Sequence, residues 1–283
     1  MKRALIVTLA LLLLASFFPA AGQAETLLTS GDYRYRVLED GTAEIVRYTG
    51  PAEYLELPDK LDGLAVTSIG NAAISYCENL KGITIPDSIA SIGEAAFACC
   101  NHLEGIVIPD TVTSVGYNPF ESCGSLSQVT VGPDHPTLAT IDGVLFSKED
   151  KRLIWYPLTK EDTVYEIPQG TLIIGGGAFK GCNRLSGITI PDSVTSIGLF
   201  AFVMCNHLSG ITIPDSVTSI DSYAFFGCEN LSSITIPDSV ASIGKNALYE
   251  CKSLKEVIVA PDSYAQQYCE DNGLPFVFQE NTD

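Results

Sequence analysis

Positive charge is scarce in this chain: 16 Lys and Arg stand against 34 Asp and Glu in 283 residues, a net charge of −18. A surface of that sign repels phosphate backbones and anionic lipid headgroups, so neither nucleic-acid binding nor peripheral membrane docking fits it. Histidine is scarcer still, with three in the whole chain, and no GxSxG, HExxH or phosphate-binding loop occurs. Carboxylates are plentiful, yet nothing in the pattern sets Asp142 across a cleft from Glu161 and Asp162. The expectation is a protein that is not an enzyme and carries no cofactor.

One long apolar run is present, at the start. Lys2 and Arg3 precede a run from Ala4 to Phe18, then Pro19 and small residues lead to Ala24. This is the three-zone pattern of a secretory signal peptide, residues 1–24, with a cut ahead of Glu25. The run is short for a bilayer span, which disfavours a retained anchor. Loss of Lys2 and Arg3 would take the net charge from −18 to −20. No second spanning run and no wall-sorting motif follows, so the expected location is extracellular, with no membrane contact after cleavage. An apolar fraction of 46% is ample to fill a core.

Self-similarity organises the rest. Ile83 to Leu103 reads ITIPDSIASIGEAAFACCNHL, and near-copies begin at Ile106, Ile188, Ile211 and Ile234. Cysteines keep the same time: Cys77, Cys100 and Cys123 are 23 apart, as are Cys182, Cys205, Cys228 and Cys251. The gap of 59 between Cys123 and Cys182 is one period plus 36, so one coil is enlarged. Within a copy, Ile83, Ile85, Ile89, Ile92, Ala96, Phe97, Cys100 and Leu103 fall where a coil must point inward. A single coil cannot enclose its own apolar side; stacked neighbours can, each buried aliphatic or aromatic side chain contributing roughly 1.5–3 kcal/mol. Ile83-Thr84-Ile85 alternates in, out, in as a strand, and Pro86 ends it because proline has no N–H for a ladder. Asp87-Ser88 supplies a turn, Ile89 to Ile92 a second short strand, and Gly93 before Ala95-Ala96-Phe97 a turn into one helical turn.

The repeated IxIPDSVxSIGxxAFxxCxxL resembles the BspA-type leucine-rich repeat over nearly all of the chain beyond the signal peptide. That resemblance implies a repeat solenoid, a right-handed leucine-rich-repeat coil, on a secreted or surface-exposed protein of the kind linked with adhesion. The expected organisation is a capping β-hairpin at 25–56, about eight coils over 57–258, and a helical cap and tail at 259–283. The hairpin is read from Tyr33–Val37 and Ala43–Tyr48 around an Asp-Gly turn, the helix from Ser263 through Cys269 to a stop at Asn272-Gly273. The enlarged coil, 132–166, reads as a hairpin excursion through Val144–Ser147 and Leu153–Tyr156.

Nine cysteines in an exported chain suggest disulfides, but seven share one inward repeat position, where neighbours are poorly oriented for bridging. They read as buried thiols acting as small hydrophobes; Cys99 and Cys269 fall outside that column. Cys99, Cys100 and His102, with Cys205 and His207, lack the convergence zinc needs. The column Asp87, Asp110, Asp192, Asp215 and Asp238 is explained by turn formation without calcium. Gly175-Gly176-Gly177 reads as a loose repeat turn.

Binding remains. The outward strand column of Thr84, Val107, Thr130, Thr189, Thr212, Thr235 and Ile258, flanked by Gly82, Gly105, Gly187 and Gly210, is flat and poor in anchors. Around the Ala-Phe pair, the C-terminal coils carry Phe200, Val203 and Met204, then Tyr223 and Phe226, then Tyr249, where earlier coils have Ala95, Ala98, Asn118, Glu121 and Lys180. These six form the candidate partner-binding strip; Trp155 and Tyr156 on the excursion form a second candidate. The expectation is a monomeric adhesion module for an extracellular protein or glycan, the alternative a structural or self-associating surface protein with no dedicated ligand.

Overall fold

Ile-Thr-Ile segments need a partner on each edge, and the next copy supplies it. In the computed structural model, which describes residues 26–280, Gly82–Thr84 pairs parallel with Gly105–Ile108, Ile83 opposite Ile106, and Gln128–Val131 follows in the same register. The expected signal peptide lies outside the described residues. The same column continues through Val164–Glu166, Gly187–Thr189, Gly210–Thr212, Ser233–Ile236 and Glu256–Val259 to Phe276–Phe278, in three sheets set end to end. The molecule is a β-solenoid of about ten turns with little helix. The sequence count of eight omits the strands beyond Leu254, because Glu256–Val259 and Phe276–Phe278 lack the full repeat signature.

The serine-isoleucine pairs make a second parallel column. Ser68, Ser91 and Ser114 are mutual partners, as are Ser196, Ser219 and Ser242, with the isoleucines or valine beside them buried. At its start the antiparallel strands Leu28–Ser30, Tyr33–Val37 and Ala43–Tyr48 pair on, so the expected hairpin has a third strand. At the far end the helix Tyr264–Asn272 buries Ala265, Tyr268 and Cys269, with Ser263 as N-cap and Gly273 in the left-handed conformation after it.

The third side corrects an expectation. Ala95-Ala96-Phe97 does not wind into a helical turn; the segment is a run of hydrogen-bonded turns bounded by left-handed residues, Ala95 at φ 52° and Cys99 at φ 59°. Alternate N–H groups there donate to the following coil instead of along their own: Ala95 to Tyr117 O, Phe97 to Pro119 O and Cys99 to Glu121 O. The pattern recurs from Phe200, Phe202 and Met204 to Ser222, Ala224 and Phe226. Helix propensity loses because coil-to-coil bonds satisfy the same donors while all the inward side chains stay buried.

Glycine before this side has a packing role. A Cβ at Gly93 would lie 2.6 Å from Asn71 N, and at Gly244 2.2 Å from Ser222 N, so adjacent backbones touch there. The repeat glycine therefore marks close approach, whereas the sequence suggested only a turn.

Inside, the repeated phenylalanines stack: Phe179 on Phe202 at 5.1 Å and Phe202 on Phe225 at 5.0 Å, all fully buried. Earlier, Phe97 stacks on Phe120 at 5.6 Å. The enlarged coil bridges the two runs. Leu138–Ile141, Val144–Ser147 and Arg152–Trp155 form an antiparallel meander turning at Asp142-Gly143, both with positive φ, and the third strand returns to the second column beside Ile173–Ile174. This returns Trp155 to Phe120, edge-on at 5.4 Å, and Tyr156 to Phe179 at 5.2 Å.

The cysteine column explains its own regularity. All nine cysteines are unbridged, and the repeated thiols donate to the carbonyl 26 residues earlier: Cys100 to Ile74 O at 3.0 Å, Cys123 to Phe97 O at 3.0 Å, Cys205 to Phe179 O at 3.0 Å, and Cys228 to Phe202 O at 3.1 Å. Each is a small hydrophobe that also reaches a carbonyl of the coil before it. Burial pushes the Cys205 thiol up from 9.0 to about 12. Since the folded state holds the neutral form, this contribution is complete below the unfolded pKa and is lost as pH climbs toward the folded one. Denaturation midpoints should therefore fall as pH rises from 9.0 toward about 12, and fall less steeply in Cys205→Ala. Equal slopes in urea titrations of both proteins would show that this thiol is not held neutral.

Candidate partner-binding surface

The third side carries three positions per coil that lie outside the core clusters, and what occupies them changes along the solenoid. The first is held by Ala95, Asn118 and Gly177, then Phe200 and Tyr223; the second by Ala98, Glu121 and Lys180, then Val203, Phe226 and Tyr249. The third passes from Cys99, Ser122 and Gly181 to Met204 and Gly227. Because 23-residue copies stack in register, side chains from successive coils meet. Phe200 stacks on Tyr223 at 5.2 Å, Tyr223 meets Phe226 edge-on at 5.8 Å, and Phe226 stacks on Tyr249 at 5.8 Å. Tyr249 is 54% exposed; Phe200, Met204, Tyr223 and Phe226 are half-buried. The four rings pack on one another outside the core that contains Phe202 and Phe225. Val203 differs from the expectation: at 4% exposure it is buried and offers no surface to a partner.

Three of these residues sit at left-handed positions of the repeat. Phe200, Met204 and Tyr223 all have φ of 58°, in the left-handed region that costs an L-residue with a side chain roughly 1–2 kcal/mol. The same two left-handed positions recur in the other coils, held by Ala72, Ala95, Asn118, Gly177 and Asn246 at the first and by Tyr76, Cys99, Ser122, Gly181, Gly227 and Glu250 at the third.

The strip has a polar border on its N-terminal side. Lys180 forms an ion pair with Glu121 from the coil below, and its ammonium stands 5.9 Å from the Phe200 ring centroid. Asn118 is buried there and donates through Nδ2 to Gly177 O, so the two coils flanking the insertion stack directly on this side. Lys252 with Glu229 and Glu250 borders the other end. Apolar edges framed by paired charges suit a macromolecular partner, with no acid, base or nucleophile poised for chemistry. Among the described residues no group of three or more His, Cys, Asp or Glu is placed to hold a metal ion.

The second candidate does not survive. Trp155 is 2% exposed and Tyr156 3%, with the Tyr156 hydroxyl donating to Asp162 at 3.3 Å. They continue the phenylalanine stack across the enlarged coil, so they are core residues and no partner reaches them. Conversely, sequence reasoning missed Tyr54, 73% exposed, which pairs into the first strand column opposite Gly82. Its spacing from Gly82 is 28, off the 23-residue period, but Tyr-Leu-Glu-Leu-Pro at 54–58 follows the same outline as Gly-Ile-Thr-Ile-Pro at 82–86.

The model of the BspA type leucine rich repeat region, in six copies, matches residues 48–157 and 159–269. This chain belongs to that family. Two solved structures share the fold of this BspA-type chain. A leucine rich cell surface protein from Faecalibacterium prausnitzii is 23% identical, with a TM-score of 0.55, over 88% of this chain and 98% of its own. The pneumococcal vaccine antigen PcpA is 21% identical, with a TM-score of 0.58, over 84% of this chain and 82% of its own. At these identities the likeness is one of fold. No curated protein matches the sequence. Among the described residues of this BspA-type chain, no helix is long and apolar enough to cross a membrane.

Proposed function

We propose that this BspA-type protein is an exported adhesion module that binds an extracellular protein through the strip Phe200, Met204, Tyr223, Phe226 and Tyr249. The single observation that carries this reading is the chain of four rings, Phe200, Tyr223, Phe226 and Tyr249, at positions where the earlier coils have Ala, Asn, Gly, Glu or Lys, packed on each other and not into the core. Aromatic residues are the usual anchors of protein interfaces, and a rigid stack of coils holds them pre-arranged. The apolar N-terminal run, the family and the cell-surface protein from Faecalibacterium prausnitzii support an extracellular location. A net charge of −18 favours basic partners.

The test uses the chain from Glu25 onward, immobilised and exposed to solubilised surface and matrix proteins. The wild type should retain a specific partner, and the triple variant Phe200→Asn, Tyr223→Asn, Phe226→Ser should retain at least about tenfold less, the loss of one or more anchors. Equal capture by both proteins would remove this surface from consideration.

A further inference from the structure

The outward face of the first strand column has two glycine-floored stretches, and only one has walls. Parallel register sets Tyr54, Gly82, Gly105 and Gln128 in one outward row and Glu56, Thr84, Val107 and Thr130 in the next. Because Gly82 and Gly105 carry no side chain, the first row sinks between Tyr54 and Gln128 into an open trough of about 360 Å³. The two walls are three strand steps apart, about 14 Å at ~4.8 Å per step. The corresponding row in the later coils, Val164, Gly187, Gly210 and Ser233, has the same glycine floor without an aromatic wall or an amide.

The Tyr54 ring lies against the glycine floor. A Cβ on Gly82 would stand 3.1 Å from its Cδ1 and 3.5 Å from its Cε1, so the ring leans over the glycine, yet the residue is 73% exposed. Around it, the side chains of Glu56, Thr84, Gln128 and Thr130 make no hydrogen bond or ion pair among the described residues, while Lys81 and Glu53 pair with each other at 2.8 Å on the rim. The trough therefore offers an aromatic surface, a carboxylate, a side-chain amide and two hydroxyls, all without partners. An apolar face beside unpartnered donors and acceptors matches a pyranose, whose C–H face is apolar and whose edge is ringed with hydroxyls. A carboxylate accepts from two neighbouring hydroxyls at once. The unpaired charge is negative, which turns away sulfated and sialylated chains. The trough is shallow and polar-sided, unsuited to a lipid tail.

We infer that the trough between Tyr54 and Gln128 is a binding site for a short neutral oligosaccharide, with Tyr54 stacking on a sugar face and Glu56, Thr84, Gln128 and Thr130 bonding its hydroxyls. This site is remote in sequence from the aromatic strip and independent of its role. Val107, on the same face and 62% exposed, widens the apolar contact.

Calorimetric titration and ligand-observed saturation-transfer NMR with maltotriose, cellotriose, mannotriose and chitotriose test it. At least one of the four should bind the wild type, and Tyr54→Ala should weaken it at least about tenfold, the worth of one good ring contact. Gly105→Val should do the same by filling the floor: a Cβ there meets nothing closer than Gln128 O at 3.6 Å, and valine suits a strand, so the fold is retained. The strip variant should bind the saccharide as the wild type does, which separates this site from the protein-binding surface. Failure of all four saccharides to bind, or equal binding by Tyr54→Ala and Gly105→Val, would overturn the assignment. So would loss of protein capture in Tyr54→Ala without any saccharide signal, which would make the trough a peptide site.

Discussion

Phe202→Ala should lower the unfolding free energy by about 3–5 kcal/mol, among the largest effects open to a single substitution in this chain. The side chain is fully buried, with Phe179 stacked 5.1 Å on one side and Phe225 5.0 Å on the other at interplanar angles of 9° and 6°. Its loss opens a cavity that neighbours cannot close, since each is fixed by its own coil and by the backbone ladder along the third side. In a quasi-one-dimensional protein each coil is stabilised only by the coils it touches, so weakening one contact divides the column. Scanning calorimetry should show a melting temperature lower by about 10 °C, and splitting of the transition would be further support. A shift of about 2 °C or less would mean that the ring stack is not what joins the coils.

The strip variant should behave in the opposite way, losing its partner while keeping its fold. Removing two rings from Phe200 and Tyr223 forfeits stacking worth about 0.5–1.5 kcal/mol per pair. Asparagine accepts the left-handed conformation, returning a comparable part of the roughly 1–2 kcal/mol per residue stored in the backbone. The two terms oppose each other at the same positions, so urea denaturation should place Phe200→Asn, Tyr223→Asn within about 1.5 kcal/mol of the wild type. A loss of 3 kcal/mol or more, the scale of core truncation, would make the strip a second core and leave no reason to reserve it for a partner. Phe225, buried in the same coil as Phe226, supplies the internal contrast.

Much of this architecture can be read from the amino acids, and the places where it cannot have physical causes. The 23-residue period assigned Ile83, Ile89, Phe97, Cys100 and their copies to the inside, because that register alone lets each coil cover the next. The eight coils read from the sequence run from Leu57-Pro58 to Leu254; the last two strands, built on Glu256–Val259 and Phe276–Phe278, fall beyond them. Ala95-Ala96-Phe97 suggested helix from local propensity, but its N–H groups find acceptors in the adjacent coil, a contact absent from any window of sequence. Trp155 and Tyr156 read as exposed because Val144–Ser147 and Leu153–Tyr156 suggest a hairpin leaving the solenoid. The strand after its turn re-enters the second column, however, and carries the two rings into the gap in the phenylalanine stack. The strip was legible from register alone, as a change of residue type at equivalent positions. Its strain was not, because positive φ at Phe200, Met204 and Tyr223 contradicts what those residues prefer. Tyr54 escaped notice through an irregular first spacing.

Amide hydrogen exchange on Phe179, Gly181, Phe202, Met204, Phe225 and Gly227, compared between the wild type and the triple strip variant, bears most directly on a scaffold that holds itself together and leaves the strip to spare. Each of these N–H groups donates to the next coil from a segment that is neither helix nor strand. The account predicts slow exchange at all six in both proteins, at rates set by unfolding of the column. Fast, loop-like exchange in the wild type, or its appearance once the strip is removed, would contradict it.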